Sequence, residues 1–284
     1  MPGDSRRIAG PQDSRAPHWF GRQQETHQEA GGTRQDGRGD HDLRPVYLHT
    51  GVVSQATGSA YMEMGQTKVI AAVYGPREIS RREEFTMKGR LCCELKFATF
   101  SCRQRRQHIQ DNQERDGSLI VLQALEPAVC LDKFPKSQVD VYITVLQDDG
   151  SALAAAITCA ALGLADAGVM MYDVVVGCSV RQCGEDQWLD PSVREEFRPE
   201  VESAGDHGMV TVGLLPSLNQ VSALVLDGHL QQQTAVQAVK TCISGCQGIY
   251  PILKDCLVSS TRRNVPSLEQ KSGQTSTDGQ NGQT

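Results

Sequence analysis

The chain has 284 residues, with 28 Lys and Arg against 34 Asp and Glu, a formal charge of -6, 39% apolar and 5% aromatic residues, and 10 Cys. That length supplies one large domain or two modest ones with ample core, which excludes a disulfide-dependent miniprotein. The acidic balance, taken by itself, argues against a nucleic-acid partner, because phosphate binding relies on clustered Lys and Arg.

Residues 1–42 carry only Met1, Ile8, Trp19 and Phe20 as large apolar side chains, among many glycines and charged residues. So little apolar surface does not offset the entropy of ordering the segment, and a disordered tail is expected. It has no apolar stretch ahead of a small-residue cleavage site, so no secretory signal is expected and the cysteines are assigned to a reducing compartment. Residues 265–284 are rich in Gln, Ser, Thr and Gly with a single Leu268, and read as a second tail. The folded part is then expected at 43–264.

Inside it, Gly51 to Tyr74 is rich in β-branched residues and is broken by Thr57-Gly58 and Gly65-Gln66, which predicts a strand meander, with Leu91 to Phe97 as a further strand. Asp116 is placed to cap a helix from Gly117 to Cys130, with Leu119, Leu122, Leu125 and Val129 on one face. Gln138 to Leu146 alternates Val139, Val141, Ile143 and Val145, the pattern of a strand with one buried face. The Ala-rich segment Ser151 to Ala167 follows as a helix that is apolar all round and therefore buried. Its longest apolar run, Ala152 to Ala165, falls short of the roughly 20 residues that cross a bilayer. Tyr172 to Cys178, Met209 to Leu215 and Val221 to Leu226 predict three more strands. A last helix is expected over Gln231 to Ser260, with a stripe of Val236, Val239, Ile243, Cys246, Tyr250, Leu253 and Leu257 and a kink at Pro251. Strands then helix, twice over, predict an α+β or layered α/β domain of two similar units.

Charge is unevenly placed. Arg77 to Arg106 holds nine basic residues against four Glu, whereas Glu185 to Asp206 holds eight acidic residues against two Arg. The densest basic signal is Arg103, Arg105 and Arg106, in a loop after a predicted strand, where guanidinium groups contact phosphate oxygens without reading base sequence. A merely solvated loop is the plain alternative. Phe97 and Phe100 read as core residues, so base stacking is not implied.

Asp148-Asp149-Gly150-Ser151 opens the Ala-rich helix, and amides at a helix N-terminus attract anions. Two Asp in the turn, with no Lys or Arg before Arg181, favour simple capping by Asp149 or Ser151. Asp190, Glu195, Glu196 and Asp206 are candidates for magnesium, although Pro191, Pro199 and Gly205 make a solvated acidic loop the stronger reading. The cysteines show no paired metal-ligand spacing and read as small buried side chains. No nucleophilic triad is assigned to the scattered histidines.

These pieces together carry a resemblance. Leu43-Arg-Pro-Val-Tyr47, Gly51 to Val69, Val73-Tyr-Gly-Pro-Arg77, Leu122-Gln-Ala-Leu-Glu126, Val145 to Thr158 and Leu164-Ala-Asp-Ala-Gly168 resemble the RNase PH family of phosphorolytic exoribonucleases, over about Arg44 to Leu257. Met1-Pro-Gly-Asp4, Arg44-Pro-Val-Tyr47, Ala128-Val129, Tyr172 to Cys178 and Leu218-Asn-Gln-Val221 look most like a ring subunit of the eukaryotic RNA exosome. The resemblance implies an RNase PH-like fold (ribosomal protein S5 domain 2-like) built from two βαβα-type units. It also implies a heteromeric ring of PH-like subunits capped by RNA-binding proteins, in nucleus, nucleolus and cytoplasm, with no membrane partner.

Active members carry Gly-Gly-Thr-Arg at the phosphate turn, where this chain has Gly150, Ser151, Ala152 and Leu153. Of the family's two catalytic Asp positions, one aligns with Glu196 and the other falls near Gly208, unless Asp206 substitutes. The expectation is a subunit without catalytic residues, cofactor or metal, in which Arg103, Arg105 and Arg106 contact single-stranded RNA in a central channel. Two rival readings are an active phosphate-dependent 3′-5′ exoribonuclease using Glu196 and Asp206 with magnesium, and a free-standing RNA-binding protein.

Overall fold

The computed structural model describes residues 34, 36–79, 87–184, 186–196 and 206–274, with side chains described as far as residue 263. Residues from Asp40 onward form one compact unit, separate from the residues before it. Most of the segment expected as an N-terminal tail therefore lies outside the described residues.

The first five strands make one sheet: β1 (Val46–Thr50), β2 (Gly58–Met64), β3 (Thr67–Glu78), β4 (Arg90–Phe97) and β5 (Ser137–Gln147), in the order β1-β2-β3-β5-β4. Strands β1, β2, β3 and β5 pair antiparallel. Strand β4 runs parallel to β5, which requires a crossover, and helix α1 (Asn112–Leu125) supplies it. The expected alternation in β5 is borne out, with Val139, Val141, Ile143 and Val145 all buried.

Helix α2 (Ala152–Asp166) is buried along almost its whole length between that sheet and a second one. Close approach depends on small residues. A Cβ on Gly163 would sit 3.3 Å from Val73, and one on Gly177 only 2.5 Å from the Ala154 carbonyl oxygen. The second sheet comprises β6 (Val176–Cys183), β7 (Asp186–Leu189), β8 (His207–Leu215) and β9 (Gln220–His229), all antiparallel, in the order β7-β6-β8-β9. A one-turn helix α3 (Val193–Glu196) follows β7, and α4 (Gln232–Gln274) packs across β6, β8 and β1. The second unit thus has strands, then one long helix, and among the described residues only α3 stands where the first has its crossover helix.

Several expectations shift. Helix α1 starts earlier and ends earlier than the sequence pattern suggested, because Asp111, not Asp116, is the N-cap, and Pro127 follows the end closely. Asp111 and Glu114 form a reciprocal capping box. Leu125 and Val129 are buried as expected, but Leu119 faces outward, at 56% exposure, and Val121 and Ala124 fill the buried face alongside Leu125. Replacing Asp111 with Ala should cost about 1 kcal/mol of stability, read as a lower urea midpoint.

The strand expected from Tyr172 begins only at Val176, with Tyr172 exposed. Helix α4 is continuous through Pro251 and beyond the boundary expected at 264. Its buried stripe is Ala238, Cys242, Cys246, Ile249 and Leu253, while Val236 faces solvent. All ten cysteines are free thiols, four buried and six partly buried. Among the described residues no helix is long and apolar enough to cross a membrane.

Candidate functional site

Three turns meet where the first sheet, the start of α2 and the loop after β7 come together, and Arg44 ties them. Its guanidinium grips Asp190 side-on, Nε donating to Oδ2 at 2.8 Å and Nη2 to Oδ1 at 2.6 Å, while its backbone N–H donates to the same Oδ2 at 3.1 Å. Nη1 donates to the Asp149 carbonyl at 2.8 Å, and Nη2 to the Gly150 carbonyl at 3.1 Å. Thr67 Oγ1 donates to that Gly150 carbonyl at 2.8 Å and accepts from the Asp149 N–H at 3.2 Å. Space for the Arg44 stem comes from Gly65, which has φ +60° and where a Cβ would lie 2.6 Å from Arg44 Cδ.

Both members of the pair are buried, Arg44 at 6% and Asp190 at 1% exposure. Burial lowers the Arg44 pKa, but the hydrogen bonds and charge of Asp190 outweigh it and the guanidinium is held more firmly protonated than usual. Asp190 is therefore neither a solvated acid nor a magnesium ligand. It is the counterion of Arg44.

The turn ahead of α2 also departs from simple capping. Ser151 is the N-cap in a left-handed conformation, φ 55°, and its hydroxyl does not cap the helix but donates to the Pro191 carbonyl at 3.2 Å. A side-chain carboxyl group nevertheless reaches the turn. Glu196 Oε1, from the end of α3, accepts the Ser151 N–H at 2.7 Å. Burial pushes the Glu196 pKa up to about 7, against the opposing pull of the Ser151 hydrogen bond, with Asp148 adding to the rise. Leu153, at the position where the resemblance puts a phosphate-clamping Arg, packs partly buried against the core.

The remaining acidic candidates are dispersed. Glu195 accepts from the Ser192 N–H at 2.7 Å, and Asp206 accepts from the Thr234 hydroxyl. Asp190, Glu195, Glu196 and Asp206 each hold separate protein partners, and among the described residues no group of three or more acidic, His or Cys side chains is placed to hold a metal. These residues do not fit a magnesium centre.

The basic loop between β4 and α1 is fixed at both ends by one residue. Buried Glu114 accepts the Phe97 N–H through Oε1 at 2.9 Å and the Asp111 N–H through Oε2 at 3.1 Å. Within the loop the three arginines divide. Arg106 lies 4.2 Å over the Phe97 ring, and its Nε and Nη2 donate to Cys102 Sγ and Gln113 Oε1, both at 3.1 Å. It is a structural residue of the loop. Arg103 and Arg105 are exposed. The two phenylalanines divide as well: Phe97 is core at 8% exposure, as expected, whereas Phe100 is 70% exposed, contrary to expectation. Phe100 and Arg103 border an open cleft of about 640 Å³, shared with Lys68 of β3 and the Asp148-Asp149 turn.

Sequence reasoning missed Arg44, although it stands in the motif that carried the resemblance, and it missed the role of Glu114. The spacing Asp111-x-x-Glu114 was the available signal for the latter.

Residues 42–170 match the model of the 3′ exoribonuclease family, domain 1. Exosome complex component MTR3 of Homo sapiens is 44% identical over 280 residues, covering 93% of this chain and 97% of that protein. Two solved structures share the fold. Rice (Oryza sativa) Rrp46 superposes with a TM-score of 0.68 at 22% identity, covering 79% of this chain and all of that one. A chain of the Archaeoglobus fulgidus exosome, solved with RNA bound to the active site, gives 0.67 at 20% identity, over 78% and 92%. Matching motifs, the two-unit fold and a relative aligned nearly end to end agree that the chain belongs to the RNase PH, or 3′ exoribonuclease, family.

Proposed function

We infer that this chain is a non-catalytic PH-like ring subunit of the RNA exosome, supporting 3′-to-5′ RNA processing and degradation by building the ring and touching RNA. Its near full-length likeness to exosome complex component MTR3 supports the ring assignment, and with it a nuclear and cytoplasmic setting. The observation that carries the absence of catalysis is the turn at Ser151. A phosphorolytic enzyme needs inorganic phosphate there as its nucleophile, and this chain fills the place with its own Glu196 carboxylate while turning Leu153 into the core. Asp206, the other acid in the rival reading, is engaged by the Thr234 hydroxyl.

Strand β9 supports the partner reading. It is the outer strand of its sheet, none of its ten residues is buried, and Val221, Leu224 and Leu226 are 44–50% exposed. A long apolar edge of this kind is a liability in a free protein and an asset in a heteromeric ring, so it disfavours a free-standing RNA-binding protein. Other PH-like subunits and exosome cap proteins are the partners proposed, and single-stranded RNA the ligand of Arg103 and Arg105.

The test is phosphate-dependent release of nucleoside diphosphates from RNA, measured for the purified chain and for its assembly with PH-like partners. The chain should add no activity of its own. Robust release by the chain that disappears in Glu196→Ala overturns the reading in favour of an active phosphorolytic exoribonuclease.

A further inference from the structure

The cleft beside the Ser151 turn has a feature that phosphate binding alone does not require. Phe100 presents its ring to solvent at 70% exposure on the loop, whereas Phe97, at the end of β4, is buried under Arg106. An apolar ring left in water at the rim of a cleft gains stability when another surface covers it, and a second π system adds to the gain of burial alone. The cleft of about 640 Å³ lies within the roughly 300–1,000 Å³ typical of small-ligand sites.

Its charges are arranged in two parts. On one side stand the Arg103 guanidinium, on the exposed loop, and the Lys68 ammonium, which has only a loose 3.9 Å pair with Glu63. On the other side Asp148 accepts the Gly150 N–H at 3.1 Å, and Asp149 has an equally loose 3.8 Å pair with Arg44 and lies within the charge influence of Arg103 as well. Anionic groups of a ligand are therefore drawn to the Lys68 and Arg103 side, and a flat apolar group to Phe100.

We propose that this cleft holds one nucleotide of single-stranded RNA by its base as well as its backbone, the base stacked on Phe100 and the adjoining phosphates on Arg103 and Lys68. The inference rests on the RNA-contact reading above and adds to it a base contact that is indifferent to sequence, since every base offers a π face. Glu114 is the positioning residue of the site, because it fixes both ends of the loop that carries Phe100 and Arg103.

The experiment measures equilibrium binding of the full chain, alone and assembled with PH-like partners, to an oligouridylate and to an abasic ribose-phosphate oligomer of equal length. Phe100→Ala should weaken oligouridylate binding roughly five- to hundredfold and leave the abasic oligomer unaffected, while Phe100→Trp restores or strengthens the former. Arg103→Glu should weaken both oligomers. A Phe100→Ala variant with unchanged binding, or with equal losses for the two oligomers, overturns the stacking proposal while an Arg103→Glu loss still upholds the RNA-contact reading. If Arg103→Glu changes neither, or if the unsubstituted protein binds neither oligomer, both readings fall.

Discussion

Replacing Asp190 with Ala should lower the unfolding free energy of the full chain by about 3–5 kcal/mol, the usual consequence of stripping one partner from a buried ion pair. For a folded part of this size that corresponds to a fall in melting temperature of roughly 6–20 °C. The reason lies in what Arg44 then lacks. Its guanidinium is 6% exposed and, once both Asp190 oxygens are gone, keeps carbonyl and hydroxyl acceptors and only the more distant Asp149 carboxylate at 3.8 Å. A charge held that way is poorly compensated. Arg44→Met alone should be similarly damaging because it leaves the Asp190 carboxylate buried without its cation.

The double variant Arg44→Met, Asp190→Leu should cost much less than the sum of the two, since no uncompensated charge remains. Urea denaturation of the four proteins completes the cycle. Additive losses would mean that the two residues act independently, and the pairing described above would be wrong. The pair also bears on function, because Arg44 ties the Asp149-Gly150 turn and the Asp190 loop to the Thr67 end of the first sheet. The loosened single variants should therefore lose RNA contact at the adjacent cleft along with stability.

The sequence made some of this plain and hid the rest for physical reasons. Local periodicity was enough for β5, where one buried face forces alternation, and for α2, whose apolar residues all round require burial between two layers. It failed for β7, a four-residue strand beginning with Asp186 inside an acidic stretch, too short to show a period. Helix α1 was misphased because Asp116 and Asp111 are both competent caps, and only the Glu114 side chain reaching back to Asp111 decides between them.

The site was legible as composition but not as pairing. Asp190 lies 146 positions from Arg44 and Glu196 lies 45 from Ser151, separations that carry no periodic signal. The same gap explains the basic loop. Three arginines in four positions look equivalent as letters, yet Arg106 is spent on Phe97, Cys102 and Gln113, leaving Arg103 and Arg105 as the pair available to a ligand. The net charge of -6 misled for a related reason: it sums an acidic segment in which Asp190, Glu195, Glu196 and Asp206 have internal partners with a basic segment that keeps exposed cations.

Glu196 makes the turn's internal anion testable through pH. Its pKa rises from an ordinary 4.5 to about 7 in the folded protein, chiefly through burial, so between those values the native state holds a proton that the unfolded chain has lost. Stability then falls as pH rises through that window, because the slope follows the excess of protons bound by the unfolded over the native state, and that excess is negative here. The change should be about 1–3 kcal/mol, reduced from the full shift by the solvent contact the side chain retains. Glu196→Gln keeps an oxygen to accept the Ser151 N–H but cannot titrate, so its urea midpoint should stay nearly level from pH 4.5 to 7 after correction for the rest of the protein. Its stability should equal or exceed that of the unsubstituted chain at pH 7 and fall below it near pH 4.5 by no more than the difference between an acid and an amide acceptor. Parallel pH profiles for the two proteins would place the carboxylate in water, away from the turn. The outcome reaches the functional reading too: an ionised Glu196 above pH 7 competes directly with any free anion for the Ser151 N–H, so a chain that keeps this carboxylate at the start of α2 has little place for the phosphate on which phosphorolysis depends.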